Sequence, residues 1–296
     1  MKKCLLLLPL LILIGCSKEA VPTEPAVPAV PPETTELAGV TYELEYSDDF
    51  NSSDTIYKNW GIINLDFGES RAKNGYHIWA KKENVNVEDG SLCLNVNIDN
   101  QNKTASGGTL VSNNRFLLKD TMWETRFKVD KSLGGDWFVF LISPKHSPNS
   151  THADDWYYSL SNNIELREIT PIELQSKVGN FRSAAYFFNK LQQTGNNMDT
   201  NREVSIDDSF YNTWHTLKFI WNDTDYLCYL DDKFIYQVTK NETLKNIPEN
   251  DLYGTIYFGA DMMGEWHGKV NINMPPHSYY IDYVKVWRKK IIAKIE

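Results

Sequence analysis

Ser161-Asn162-Asn163-Ile164-Glu165-Leu166-Arg167-Glu168-Ile169-Thr170 is the stretch on which the fold turns. Ile164 and Leu166 are apolar and two apart, so an extended chain puts them on one face and Asn163 and Glu165 on the other. Strict alternation would send Arg167 outward too and drive Glu168 into the core, where an unpaired carboxylate is costly. One inserted residue resolves the conflict. With Arg167 as a β-bulge, Glu168 returns to the polar face and Ile169 turns to the core. Asn163, Glu165 and Glu168 then form a polar row on one face of a strand.

The flanking sequence extends this pattern in both directions. Ser91–Ile98 alternates as a half-buried strand after the turn Glu88-Asp89-Gly90, and Val85–Val87 precedes that turn. Met122–Val129, Trp137–Ile142, Trp214–Trp221, Tyr226–Leu230, Phe234–Val238 and Tyr279–Trp287 read as further strands, with Asp231-Asp232 as a hairpin turn. No segment carries a long helical stripe. Many short strands in succession imply an all-β domain of two stacked antiparallel sheets, a β-sandwich or jelly roll.

Aromatic residues make up 13% of the chain, with 9 Trp and 16 Tyr. Such rings serve strand packing and also suit a surface that stacks on sugar rings. The formal net charge of -9, with no basic patch, excludes a nucleic-acid partner. Cys93 and Cys228 are flanked by apolar residues and read as buried thiols, with a disulfide left open. Neither cysteine nor histidine spacing suggests a transition-metal site.

Residues 1–15 read as a signal peptide. Lys2 and Lys3 form its basic start, and the apolar run from Leu5 to Ile14 is too short to span a bilayer. Leu13-Ile14-Gly15-Cys16 resembles a bacterial lipobox, which makes Cys16 the lipidated mature N-terminus. A lipid there would be the chain's only link to a membrane. Residues 16–40 form a tether with Pro22, Pro25, Pro28, Pro31 and Pro32, a semi-rigid spacer. The folded domain is expected over residues 41–292. This organisation implies a monomer in the cell envelope, at the outer membrane of a Gram-negative bacterium.

The central stretch resembles the active-site strand of glycoside hydrolase family 16, the laminarinases, β-glucanases and agarases. Its motif is Glu-x-Asp-x-x-Glu on a bulged strand in the concave sheet of a concanavalin A-like jelly roll. Other segments resemble the family in the same order: Ser47-Asp48-Asp49-Phe50, Glu83 to Leu92, Trp123-Glu124-Thr125-Arg126, Gly135-Asp136-Trp137, Trp214 to Trp221 and Ile281 to Trp287. The resemblance implies an endo-acting hydrolase of a β-linked polysaccharide or oligosaccharide, with Glu168 as general acid/base. Retaining chemistry of that kind places two carboxyl groups about 5–5.5 Å apart.

The chain departs from the motif at two positions. Asn163 stands where the nucleophilic Glu belongs, and Glu165 where the Asp belongs. An amide cannot form the glycosyl ester. A second register would make Glu165 the nucleophile, with Arg167 and Thr170 in the remaining slots. Two activities therefore stand side by side: hydrolysis through Glu168 and Glu165, or glycan binding by a cleft that has lost its nucleophile. A structural lipoprotein without a glycan is a third reading, and it leaves the polar row unexplained.

The resemblance assigns some of the supporting positions, and place in the sequence suggests Trp156, Tyr186 and His215. Trp137, Trp156, Tyr186 and Trp266 are the candidate substrate-binding aromatics, and His215 reads as a packing residue. No cofactor is required. A structural calcium would map to Asp49, the Gly90 carbonyl and Asp282, oxygen donors of the kind calcium takes.

Overall fold

A computed structural model describes residues 33–68, 75–131, 134, 136–143, 158–159, 164–175, 179–189, 194–196, 202–239, 253–262, 271 and 273–291. The chain divides into two units, Met1–Pro32 and Glu33–Glu296, and everything described lies in the second. In chain order the elements begin with β1 (Thr34–Leu37), β2 (Val40–Asp48), α1 (Ser53–Asn59), β3 (Trp60–Ile62), β4 (Leu65–Gly68) and β5 (His77–Ala80). There follow β6 (Val85–Glu88), β7 (Ser91–Asp99), β8 (Thr104–Gly107), β9 (Thr109–Ser112), β10 (Phe116–Leu117), β11 (Thr121–Val129) and β12 (Asp136–Ser143). Next come β13 (Tyr158–Ser159), β14 (Ile164–Gln175), β15 (Asn180–Asn189), β16 (Thr194–Asn196) and β17 (Arg202–Ser205). The last are β18 (His215–Trp221), β19 (Asp225–Leu230), β20 (Lys233–Thr239), β21 (Tyr253–Met262) and β22 (His277–Lys289).

These strands form a twelve-stranded sheet, ordered β20-β19-β18-β11-β22-β7-β8-β5-β4 with β1, β2 and β6 attached. A ten-stranded sheet runs β16-β15-β14-β12-β21-β9-β3, with β10, β13 and β17 attached. All described pairings are antiparallel except β5 with β8. The expected two-sheet jelly roll is therefore present. In the larger sheet β22 is the spine: β11 lies along one edge, and β7 and then β2 along the other.

Alternation builds the core. Phe127 and Val129 of β11 meet Phe138, Phe140 and Ile142 of β12 between the sheets, all at 0% exposure. Phe127 stacks on Phe138 with ring centroids 5.4 Å apart, and Tyr279 of β22 lies 5.4 Å from Phe138. Aromatic pairs of this kind add to the burial of their own area. Turn chemistry sets the hairpins. Asp89 and Gly90 both have positive φ (50° and 74°), as do Asp231 and Asp232 (52° and 61°). Two such residues match the twist of the strands they join.

Polar groups bridge the layers where the chain changes sheet. The buried Asp48 carboxylate, at the end of β2, accepts from Trp60 Nε1 at 2.9 Å, Asn59 Nδ2 at 3.1 Å and the Phe50 amide at 3.1 Å. Gly108 carries the chain from β8 in one sheet to β9 in the other. Its amide donates to Asn95 O at 3.1 Å and its carbonyl accepts from Ala260 N at 2.9 Å.

Two sequence expectations need adjusting, and the open question of a disulfide is decided. Residues 34–40, read as tether, begin the domain: β1 pairs with β2, and Leu37 and Val40 pack on the outer cluster of Tyr42, Met122, Ile220 and Trp287. The first half of β7, Ser91–Leu94, is buried throughout rather than on alternate residues. Both its flanks are occupied there, by β6 and β22. Cys93 and Cys228 are free. They lie on β7 and β19, four strand positions apart, roughly 19 Å and beyond any disulfide. Burial pushes the two thiols up to about 11 and about 12, as inert packing groups.

Candidate active site

β14 lies between β12 and β15 in the ten-stranded sheet. Leu166 pairs with Phe187 and Glu168 with Tyr186, so the register slips by one residue at Arg167. The bulge falls where alternation demanded it. Glu165, Glu168 and Thr170 face Phe188, Tyr186 and Ala184 in register, and those partners are two apart. The three positions therefore share one side of the ladder, with Glu165 and Glu168 as neighbours about 7 Å apart along it. Ile169, between Glu168 and Thr170, is buried in the core at 1% exposure. Asn163 lies outside the described residues, as do Trp156, Trp266 and Cys16. The side chains of Glu165, Glu168 and Tyr186 also lie outside them, so only their ladder positions are given.

A second slip falls at Pro171, between Thr170 and Glu173. Proline has no N–H to give to the ladder, so a bulge is where a central strand can hold it. Ile172 and Leu174 then return to the core at 0% exposure. Thr170 is 1% exposed, and Ser183 Oγ donates to its carbonyl at 3.1 Å. A hydroxyl so enclosed is poorly placed to trade protons with a substrate, which argues against the register that gives Thr170 that task.

Trp137 lies on the side of β12 away from the main core. It packs with Val139 and Leu141 of the same strand, Tyr257 of β21 and Val111 of β9. It is 9% exposed. Its level along the sheet separates it from Glu168. Phe138 pairs with Leu174 and Ile142 with Ile169, so Trp137 stands level with Gln175 and Ser143 with Glu168. That is six residues of β12, roughly 20 Å. Trp137 and Glu168 cannot serve one sugar unit. Ser143 is the β12 residue level with Glu168 on that side and Leu141 the one level with Thr170, and sequence reasoning passed over both. It also passed over Glu173, a carboxylate at 7% exposure, opposite Arg182 and Val139.

His215 behaves as packing. Its Nδ1 lies 2.8 Å from Asp231 Oδ2, its Nε2 lies 2.9 Å from the Phe210 carbonyl, and its ring stacks on Phe210 at 4.0 Å. The Glu124 carboxylate accepts from Tyr283 Oη at 2.8 Å and Trp287 Nε1 at 2.9 Å, so it braces β11 against β22.

Strand register places the neighbours of Asp49, Gly90 and Asp282 along the same stretch of β22. Asp48 pairs with Val284, and Leu92 pairs with Ile281. Asn51 Oδ1 lies 3.3 Å from where a Cβ on Gly90 would stand. Two carboxylates and a carbonyl are donors that calcium accepts. Asp282 Oδ2 is taken by Arg126 Nη1 at 2.5 Å, which leaves its other oxygen for an ion. Among the described residues, no group of three or more His, Cys, Asp and Glu side chains gathers as a metal site.

No protein-family model matches the sequence, and no curated protein does. Solved structures match the fold over most of the chain. An endo-β-1,3-glucanase from Pyrococcus furiosus superposes with a TM-score of 0.63 at 18% identity, covering 88% of this chain and 99% of its own. A laminarinase from Flavobacterium sp. UMI-01 gives 0.63 at 16% identity, covering 83% and 100%. A glycoside hydrolase family 16 endo-glucanase from Bacteroides ovatus gives 0.61 at 17% identity, covering 81% and 99%. The chain thus has the jelly-roll fold of these β-glucan hydrolases.

Proposed function

We propose that this chain acts on a β-linked glucan through the face of the ten-stranded sheet that carries Glu165 and Glu168, and that it hydrolyses the O-glycosidic bond. The slip at Arg167 carries this reading, because without it Glu168 would fall on the opposite side of the strand from Glu165. The solved structures with the same fold include a laminarinase and two endo-glucanases, which points to the same substrate class. Glu168 gives its proton to the leaving glycosidic oxygen. Glu165 supplies the second carboxylate, either bonding to the anomeric carbon or taking a proton from the attacking water. Ladder positions about 7 Å apart lie within the range of separations that the two routes require.

A second reading rests on Asn163. With an amide in the place of the family's nucleophile, the cleft binds glycan and releases it uncut. The test is a panel of β-glycans incubated with the domain from Glu33 onward. Released reducing ends establish the hydrolase. Saturable binding without product establishes the binder, and neither outcome on any glycan removes both.

We further propose that a lipid on Cys16 holds the protein to the envelope, with residues 17–32 as spacer. Among the described residues no helix is long and apolar enough to cross a membrane. Mass spectrometry of the mature chain should find a diacylglyceryl modification on Cys16, and Cys16→Ser should release the protein into the soluble fraction.

Calcium at Asp49, the Gly90 carbonyl and Asp282 would act on stability alone. Calcium at a hundredfold excess over its Kd should add about 2.7 kcal/mol. For a domain of this size that is roughly 5–10 °C in Tm. A chelator should remove the gain, and Asp282→Asn should abolish the difference between calcium and chelator. Equal melting with and without calcium in the unaltered protein would rule the site out.

A further inference from the structure

Asp136 opens β12 in the ten-stranded sheet, and His277 opens β22 in the twelve-stranded sheet. Their contact crosses the core. His277 Nε2 lies 2.7 Å from Asp136 Oδ2, and the Tyr279 hydroxyl donates to the same oxygen. His277 Nδ1 lies 3.2 Å from the Pro275 carbonyl oxygen. Asp136 is 1% exposed and His277 is 9% exposed.

The geometry fixes the protonation that satisfies it. An ionised carboxylate and a carbonyl only accept, so each ring nitrogen must bring its own proton. A ring that makes both bonds is an imidazolium. A neutral ring has one N–H, and its bare nitrogen would then face either the buried carboxylate or the Pro275 carbonyl. Two other titratable groups face the ring among the described residues. Asp130, after β11, has its Oδ2 2.9 Å from the Ser278 amide, and the Tyr279 ring stands edge-on at 5.5 Å. β7 brings only Val96 into register with His277.

We propose that Asp136 and His277 form a proton-operated tie between the two sheets, closed while the imidazole carries both protons and slackened at the start of β12 when it carries one. Burial alone would lower the imidazole, but the hydrogen bond and charge of Asp136, together with the Pro275 carbonyl and the charge of Asp130, leave it above its ordinary 6.5. A group raised on folding contributes its full stability below the unfolded value and loses it as pH climbs through the folded value. The tie therefore holds in mildly acidic surroundings and lets go on the alkaline side.

Melting between about pH 5.5 and 8.5 tests this, comparing the unaltered protein with His277→Gln. The unaltered protein should lose roughly 3–8 °C more than the variant across that range. Hydrogen exchange, corrected for its intrinsic pH dependence, should quicken over residues 136–143 in the unaltered protein alone. Two-dimensional NMR of the imidazole nitrogens should show both protonated at pH 6. In Asp136→Asn, where burial acts without the carboxylate, the ring should titrate at a lower pH than in the unaltered protein. Parallel melting curves for the two proteins, or a ring with one bare nitrogen at pH 6, would overturn the tie. Should His277→Gln fail to fold, the nitrogen spectra of the unaltered protein and of Asp136→Asn decide.

Discussion

Glu168→Gln should reduce the release of reducing ends from a susceptible β-glucan by at least about a hundredfold while leaving Tm within a degree or two. General acid catalysis of a poor leaving group contributes on the order of 10²–10⁴ in rate, and glutamine keeps the shape of the side chain without its proton. Asn163→Glu should move the other way. It returns an ionisable group to the place of the family's nucleophile, and turnover should rise by at least about tenfold. Glu165→Gln separates the possibilities. Loss of activity comparable to that of Glu168→Gln makes Glu165 the second carboxylate of the unaltered protein. If the unaltered protein turns over nothing and Asn163→Glu cuts, the glycan-binding reading replaces hydrolysis. Rates for each variant should be read beside its melting curve, because β14 is central and a misfolded variant is also inactive.

Gly108→Ala should lower Tm by roughly 6–12 °C or prevent folding. A Cβ at this position would lie 2.4 Å from the carbonyl oxygen of Asn84 and 3.0 Å from its carbonyl carbon. Both are backbone atoms, so no side-chain rotation relieves the clash. Moving the Asn84 peptide would also disturb Asn84 Nδ2 to Ser106 Oγ at 2.9 Å and Asn97 Nδ2 to Asn84 Oδ1 at 2.8 Å. Forced overpacking costs about 1–3 kcal/mol and more where it moves backbone, and about 3 kcal/mol corresponds to that fall in Tm for a domain of this size. Gly39 is the matched control for packing. It has open space where a Cβ would stand, although its φ of 76° makes alanine mildly strained. An unchanged Tm in Gly108→Ala would mean that the crossover between the sheets is looser than its contacts indicate.

Much of the fold was legible because local chemistry and long-range pairing agree. Asp89-Gly90 and Asp231-Asp232 are good positive-φ pairs, and the strands beside them pair as hairpins. The Arg167 bulge could be read because leaving it out would bury Glu168. The slip at Pro171 was missed, since the alternation was followed only as far as Thr170. What stayed hidden depends on register. Alternation assigns Trp137 to a side of its strand, but its height relative to Glu168 depends on which β12 residue meets which β14 residue. No sequence period reports that. The Asp136–His277 contact joins positions 141 residues apart. Nothing local to Gly135-Asp136-Trp137 or to His277 marks a partner so far along the chain.

The central position of β22 bears on how the protein is made. It is the last of the described strands, yet β11 pairs along one edge of it and β7 and β2 along the other. A growing chain that lacks its final segment has no seam to join the two halves of the larger sheet. Those halves expose unpaired strand edges until β22 is available. Non-local pairing of this kind is slow to form. Were the proposed lipid-anchored chain to cross a membrane before folding, the same delay would keep it threadable until β22 is available.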